Sequence, residues 1–375
     1  MTQPFGPKAW KADEVASVSS WIQYLSAEEI AGFDTALAHA LKVGKPLLEM
    51  TREDFPLPPV SLAALERAFA ATLDRWGMRL VKGFPVDRWT EAEARLAFWG
   101  MGLHVGIGRT QNRASQIMND VRDEGGSYKV KGGRGYNTNA GLDFHMDSCD
   151  IVGLLCRRTA RSGGTSKVVS SIAIRDEIAR RRPDLLALLQ ENIWYHSYQG
   201  QQDPSLPPVY RCPIIGNDPV HFAARANRKN TTAAQVDFPE TPRLTPQQVE
   251  ALDLLDELMA SDEFCYSMTL DQGDMQLLNS YVTLHSRTPF EDFTEADNKR
   301  HLFRLWLCVP ASQPLPPEWE EYYGDVRAGS VRGGVRGSAI TPEFLDYERR
   351  QAVALGMKLK TPITTSYQER TSATT

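Results

Sequence analysis

A histidine and an aspartate two positions apart, His145 and Asp147, with another histidine, His285, far downstream, constrain this chain more than anything else in it. Alternate residues of a β-strand share a face, so His145 and Asp147 on a strand can both reach one metal ion. His285 completes the set only if a distant strand is brought alongside. Two imidazoles and one carboxylate on a triangular face of the coordination shell leave three positions open, the arrangement of non-haem Fe(II) oxygenases. Open positions are what an oxygen-activating metal requires, so these three residues are the expected metal ligands.

The distal ligand has to be chosen among His39, His104, His145, His196, His221, His285 and His301. His39 falls on an early helix and His104 follows one, so both read as packing or surface residues. His285 closes the stretch from Asp274, where a strand, a polar turn at Asn279-Ser280 and a short apolar strand follow one another. That places it at the end of a core strand. His301 competes, but alternation puts it on one face with Phe303, Leu305 and Leu307, opposite Arg300, Leu302, Arg304 and Trp306. Two arginines on one face of an apolar strand require an anionic partner, because an unpaired buried guanidinium is costly. Arginine matches a carboxylate as a bidentate fork. An oxygenase that draws electrons from a 2-oxo acid supplies such a partner.

With 375 residues, 42% of them hydrophobic, the chain can bury a sizeable core. Its net charge of −5 points to no nucleic-acid partner. Residues 1–25 show no secretory leader, and no stretch approaches the length of a membrane helix. The five cysteines, Cys149, Cys156, Cys212, Cys265 and Cys308, are scattered, odd in number and without C-x-x-C spacing. A cytoplasmic protein without a disulfide framework or zinc ribbon is expected. A homo-oligomer is left open.

Residues 1–110 read as mainly helical. Ser26 with Glu29 and Thr90 with Glu93 are capping boxes, and Ser61 is read as the cap of a helix ending near Gly77. Met78 to Val81 reads as a strand. The glycine-rich polar stretch 108–140 reads as a loop and lid, and 193–235 as short strands, turns and a second lid. Strands are expected at 151–156, 166–169, 266–270, 275–279 and 302–309. Helices are expected over 170–191, broken at Pro183, from Thr245-Pro246 to about Ser261, and from Thr341-Pro342 to about Gly356. The tail from Thr361 reads as frayed. The sum is an α+β chain, 1–375 as one domain, with a jelly-roll core over 142–310 and a C-terminal extension over 311–375.

The chain resembles the taurine dioxygenase family of Fe(II)/2-oxoglutarate-dependent oxygenases. Phe144-His145-Met146-Asp147, Ser162-Gly163-Gly164-Thr165-Ser166, Gly273-Asp274, His285-Ser286-Arg287-Thr288 and Arg300-His301-Leu302-Phe303-Arg304 carry the resemblance. It implies a double-stranded β-helix, or jelly roll, flanked by helices, with lid loops over the metal. It also implies that His145, Asp147 and His285 hold Fe(II), with 2-oxoglutarate and O2 as cosubstrates. Arg300 would hold the distal carboxylate of 2-oxoglutarate. Arg304 would meet an anionic group of the substrate, and both arginines could touch the cosubstrate. A hydroxyl after the Gly-Gly turn would assist, Ser166 first and Thr165 as the fallback. Halogenating relatives lack the metal carboxylate, so the presence of Asp147 implies hydroxylation or a related oxidation. No side-chain general base is nominated.

Tyr136, Asn137 and Asn139, just ahead of the metal pair, are read as substrate contacts. The expected activity is hydroxylation of an unactivated C–H of a small polar molecule (an amino acid, carboxylate or biosynthetic intermediate) with release of succinate and CO2. The alternatives are a desaturase or ring-forming oxidase on the same ligands, and a non-catalytic jelly roll binding a small molecule or metal.

Overall fold

A computed structural model describes residues 6–128, 130–337 and 339–360. Two sheets form its centre. The strands of interest are Ile22–Tyr24 (β1), Met78–Lys82 (β2), Ile107–Gly108 (β3), Met118–Val121 (β4), Leu142–His145 (β5), Ile151–Arg158 (β6), Ser166–Ser170 (β7), Tyr266–Met268 (β8), Met275–Asn279 (β9), Thr283–Arg287 (β10) and His301–Cys308 (β11). The major sheet has seven strands in the order β1-β2-β9-β6-β11-β3, with β4 also paired to β11. The minor sheet has four, in the order β8-β7-β10-β5. Apart from β1 against β2, these neighbours are antiparallel. The jelly-roll arrangement expected from the sequence is present.

Strand alternation assigns the faces. Along β11, Phe303, Leu305 and Leu307 join Phe98 and Trp99 of the helix Glu91–Val105 in one core. Leu302 and Trp306 point the other way, with Val152 and Leu278, against Val168 and Met268 of the minor sheet. The outer side of the minor sheet, through Val169 and Leu284, packs with residues of the helices Ser171–Arg181, Pro183–Gln190 and Pro246–Ala260. The inner faces of the two sheets are therefore available for a site, while helices close their backs.

The capping boxes at Ser26 and Thr90 form, and Thr245 caps its helix through Gln248. Ser61 is not a cap. The helix begins two residues earlier at Pro59, whose fixed φ suits a first helical position, and it ends at Ala71 rather than near Gly77. Ser61 is instead buried and donates to the Glu29 carbonyl of the preceding helix at 2.8 Å. Two expected loops contain elements of their own: β4 lies within 108–140, and the helix Arg228–Asp237 begins within 193–235 and runs two residues past it. The tail expected from Thr361 lies outside the described residues. Among the described residues, no helix is long and apolar enough to cross a membrane.

Candidate functional site

His145 ends β5, and His285 lies within β10 rather than at its end. The two strands pair so that His285 stands in register with His145. Their rings approach to 4.4 Å between centroids. Asp147 follows two residues after the strand has ended, so a strand terminus, not continued alternation, presents it. Its Oδ2 is 3.7 Å from His285 Nε2. One ligand atom from each of the three residues lies within 4.8 Å of the others, a spacing that can hold one metal ion.

The chemistry of the donor set fits a divalent cation. A carbonyl can only accept, so His145 Nδ1, 2.8 Å from the Asp143 carbonyl, carries the ring proton and leaves Nε2 as a lone pair. Burial pushes both imidazoles down, His285 to about 3 with help from neighbouring His145, so both are neutral and able to ligate. Burial works against ionisation of Asp147, which is 4% exposed, but the Arg304 guanidinium beside it outweighs that and holds the carboxyl below its usual range. Asp147 Oδ1 accepts from Arg304 Nη1 at 3.3 Å, whereas Oδ2 is buried without a hydrogen-bond partner. A buried acceptor of this kind demands a cation or donor.

A second trio, Glu91, Asp120 and His301, has comparable spacing. It carries its own counter-ions: Arg95 is 2.6 Å from Asp120, and Arg157 lies 3.6 Å from Glu91. His301 bonds Asp120 at 2.7 Å, on the strand face opposite Arg304. His196 is also internal, bonded to Thr231 and the Cys212 carbonyl.

Arg300, Arg304, Ser166 and Tyr136 line the cavity that contains the metal trio. Arg300 is 6% exposed, and its Nη1 has no hydrogen-bond partner among the described residues. Among the described residues no carboxylate forms an ion pair with it, and its backbone amide donates to Asp292 Oδ1 at 2.7 Å. Ser166 Oγ bonds Gln276 Oε1 at 3.1 Å. Thr165, Asn137 and Asn139 do not line the cavity. The Thr165 amide donates to Thr288 Oγ1 at 2.9 Å. The Asn137 carbonyl receives the Glu124 and Gly126 amides, and the Asn139 carbonyl that of Phe290, all of which is turn chemistry.

Sequence reasoning missed several wall residues. Arg287, two after His285 on the same strand, could have been found by alternation. It is 7% exposed, and Nη2 donates to the Thr138 and Ala140 carbonyls at 2.8 and 2.6 Å, while Nε and Nη1 have no partner. Arg287 and Arg300 both stack on Phe290, at 4.8 and 4.9 Å from its centroid. Burial and nearby Arg300 push the Arg287 guanidinium down to about 9, the mark of a charge held without a counter-ion. Arg134, Lys229 and Tyr322 also line the cavity. Lys229 sits on the unexpected helix, and Tyr322 in the C-terminal extension, where no motif pointed to it.

The family model "Taurine catabolism dioxygenase TauD, TfdA family" matches residues 43–306. FR-33289 synthase of Streptomyces rubellomurinus (strain ATCC 31215) is 29% identical over 339 residues, covering 87% of this chain and 96% of that protein. Among solved structures, the non-heme iron oxygenase OrfP in complex with Fe and alpha-ketoglutaric acid superposes with a TM-score of 0.57 at 17% identity, over 76% of this chain and 94% of that one. Asparagine oxygenase in complex with Fe(II), 2S,3S-3-hydroxyasparagine and succinate gives 0.53 at 15% identity, over 77% and 93%. At such identities the two structures speak for the fold.

Proposed function

The chain belongs to the TauD/TfdA family of Fe(II)/2-oxoglutarate-dependent dioxygenases, and from that premise we propose a residue-level account of its hydroxylation chemistry. His145 Nε2, His285 Nε2 and the Asp147 carboxylate hold the iron. The observation that carries this is the buried Asp147 Oδ2, partnerless and 3.7 Å from His285 Nε2. Bound iron, with 2-oxoglutarate and O2, supplies the oxidising power to replace a C–H by C–OH, with release of succinate and CO2.

The protein's own part is binding, orientation and exclusion of water. Arg300 and Arg287, two buried guanidiniums with unused donors, hold the distal carboxylate of 2-oxoglutarate as a charge-assisted fork. Ser166 adds a hydroxyl beside them. Arg304 fixes Asp147, and Leu302 and Trp306 keep the adjoining wall apolar. The segments around 133–136 and 197–202 close the cavity as lids.

The substrate is a small polar molecule. The named relatives support this: one solved structure holds a hydroxylated asparagine, and another OrfP structure holds (3S)-hydroxy-L-Arg. All five cysteines are free, which supports a reducing, cytoplasmic setting. The test is O2 uptake coupled to succinate formation on a panel of small polar molecules. Product mass then separates hydroxylation, a gain of one oxygen, from desaturation or ring closure, a loss of two hydrogens. Substrate-triggered succinate that vanishes in Asp147→Ala supports the proposal, and succinate formation unaffected by that substitution contradicts it.

A further inference from the structure

The cavity wall carries more positive charge than one cosubstrate can use. Arg134, Lys229, Arg287, Arg300, Arg304 and Arg336 line it, while among the described residues the only carboxylate in the lining is Asp147. Asp147 is engaged by Arg304 and by the metal it is proposed to hold. Arg336 lies at the exposed rim, with Nη2 donating to the Glu321 and Tyr322 carbonyls.

The remaining cations fall into two groups, each built on an aromatic ring. Arg287 and Arg300 share Phe290, as described above. Arg134 and Arg304 share Tyr136, each 5.7 Å from its ring centroid. The buried Gln111 ties this second pair together: its Oε1 accepts from Arg304 Nε at 2.8 Å, and its carbonyl accepts from Arg134 Nη2 at 3.0 Å. Lys229 joins the pair from a separate element. Its ammonium donates to the Gly133 carbonyl and sits 4.3 Å over Tyr128. Among the described residues, no carboxylate forms an ion pair with Arg134 or Lys229; exposed Asp143, bonded by Tyr128 at 3.5 Å, is the acidic neighbour of Lys229 outside the lining, and Asp147 is that of Arg134. Arg304 is 8% exposed, and its Nη2 has no partner. Burial first, and then the cation beside each, depresses both Arg134 and Lys229. Like charges gathered this way repel until an anion arrives.

We propose that Arg134 and Lys229 extend the substrate-anion contact that the family resemblance implies for Arg304, whose Nη2 is unused, into a second subsite for an oxygen-rich anionic group of the substrate, a carboxylate or a tetrahedral oxyanion. The inference rests on the reading that Arg300 and Arg287 take 2-oxoglutarate, which leaves the Tyr136 group for the substrate. Because Arg134 stands on the segment ahead of the metal pair and Lys229 on the helix Arg228–Asp237, the anion also bridges two separate parts of the cavity wall.

The test uses the full chain loaded with Fe(II) and saturating 2-oxoglutarate, without O2. Inorganic phosphate and acetate serve as probes, with acetamide as the neutral control, in calorimetric titrations. At least one anion binds the wild-type chain, and Arg134→Gln or Lys229→Gln weakens it by about tenfold or more, the scale of one charge-assisted hydrogen bond. Lys229→Arg restores binding. The tighter of the two probes identifies the planar or the tetrahedral group. Failure of both anions to bind, acetamide binding equally well, or anion affinity unchanged in both Gln variants overturns the proposal. The 2-oxoglutarate affinity of the same samples, expected to stay within about twofold, checks folding and separates the two readings. If the wild-type chain binds no 2-oxoglutarate, the cosubstrate assignment has failed rather than the subsite.

Discussion

At the residue scale, two arginines on one strand face have different duties. Among the described residues Arg300 has no carboxylate partner for its guanidinium, whereas Arg304 leans on Asp147. Arg300→Ala should therefore raise the KM for 2-oxoglutarate by about tenfold or more, and by more than Arg304→Ala does. Steady-state succinate formation against 2-oxoglutarate concentration checks the ranking, and the reverse order would exchange the two roles. Lys229 yields a pH prediction. Burial, and then Arg134, push its ammonium down to about 8, with Asp143 pulling weakly the other way. A lysine so depressed is charged below that value and loses its charge as pH rises through it. Anion affinity in the loaded enzyme should then fall above about pH 8. In Lys229→Arg, which stays charged, that alkaline limb should disappear. An identical limb in both proteins would assign the titration elsewhere.

At the element scale, the turn before β7 sets the seat of Arg300. Gly164 has φ +69°, and a Cβ there would come within 3.0 Å of Arg300 Nε. Gly164→Ala is strained by the backbone and displaces the guanidinium. It should raise the KM for 2-oxoglutarate several-fold while leaving metal stoichiometry at one per chain; a wild-type KM would show that the turn does not position Arg300. Behind β11, Phe303 is fully buried against the helical layer. Phe303→Ala should cost about 3–5 kcal/mol of stability in a urea melt, without changing which residues meet the metal. A loss below 1 kcal/mol would contradict the packing described.

The strands of the metal site were legible because their signals are local. Alternation on β11 separated His301 from Arg300 and Arg304, and caps marked the helix starts at Ser26, Thr90 and Thr245. The lids were legible only as irregular stretches. Lys229 lies on a polar helix with little apolar periodicity to betray it, and Asn137 and Asn139 turned out to serve backbone turns. Arg287 was readable from its two-residue step past His285, yet a short strand interrupted by a bulge weakens that argument. Tyr322 reaches the cavity through tertiary contacts alone, packed on Arg225 at 3.9 Å from its ring.

At the scale of the whole molecule, His145 and His285 are brought together by β5 pairing with β10, strands separated by much of the chain. Metal and cosubstrate bound there should stabilise the fold as a unit, by about 2.7 kcal/mol at a concentration one hundred times Kd. Whether His145, Asp147 and His285 hold one iron is decided by an iron-edge anomalous difference map from crystals grown anaerobically with Fe(II) and 2-oxoglutarate. The predicted result is one peak per chain, at coordination distance from all three side chains. A peak at Glu91, Asp120 and His301 instead, or none near His285, would contradict it.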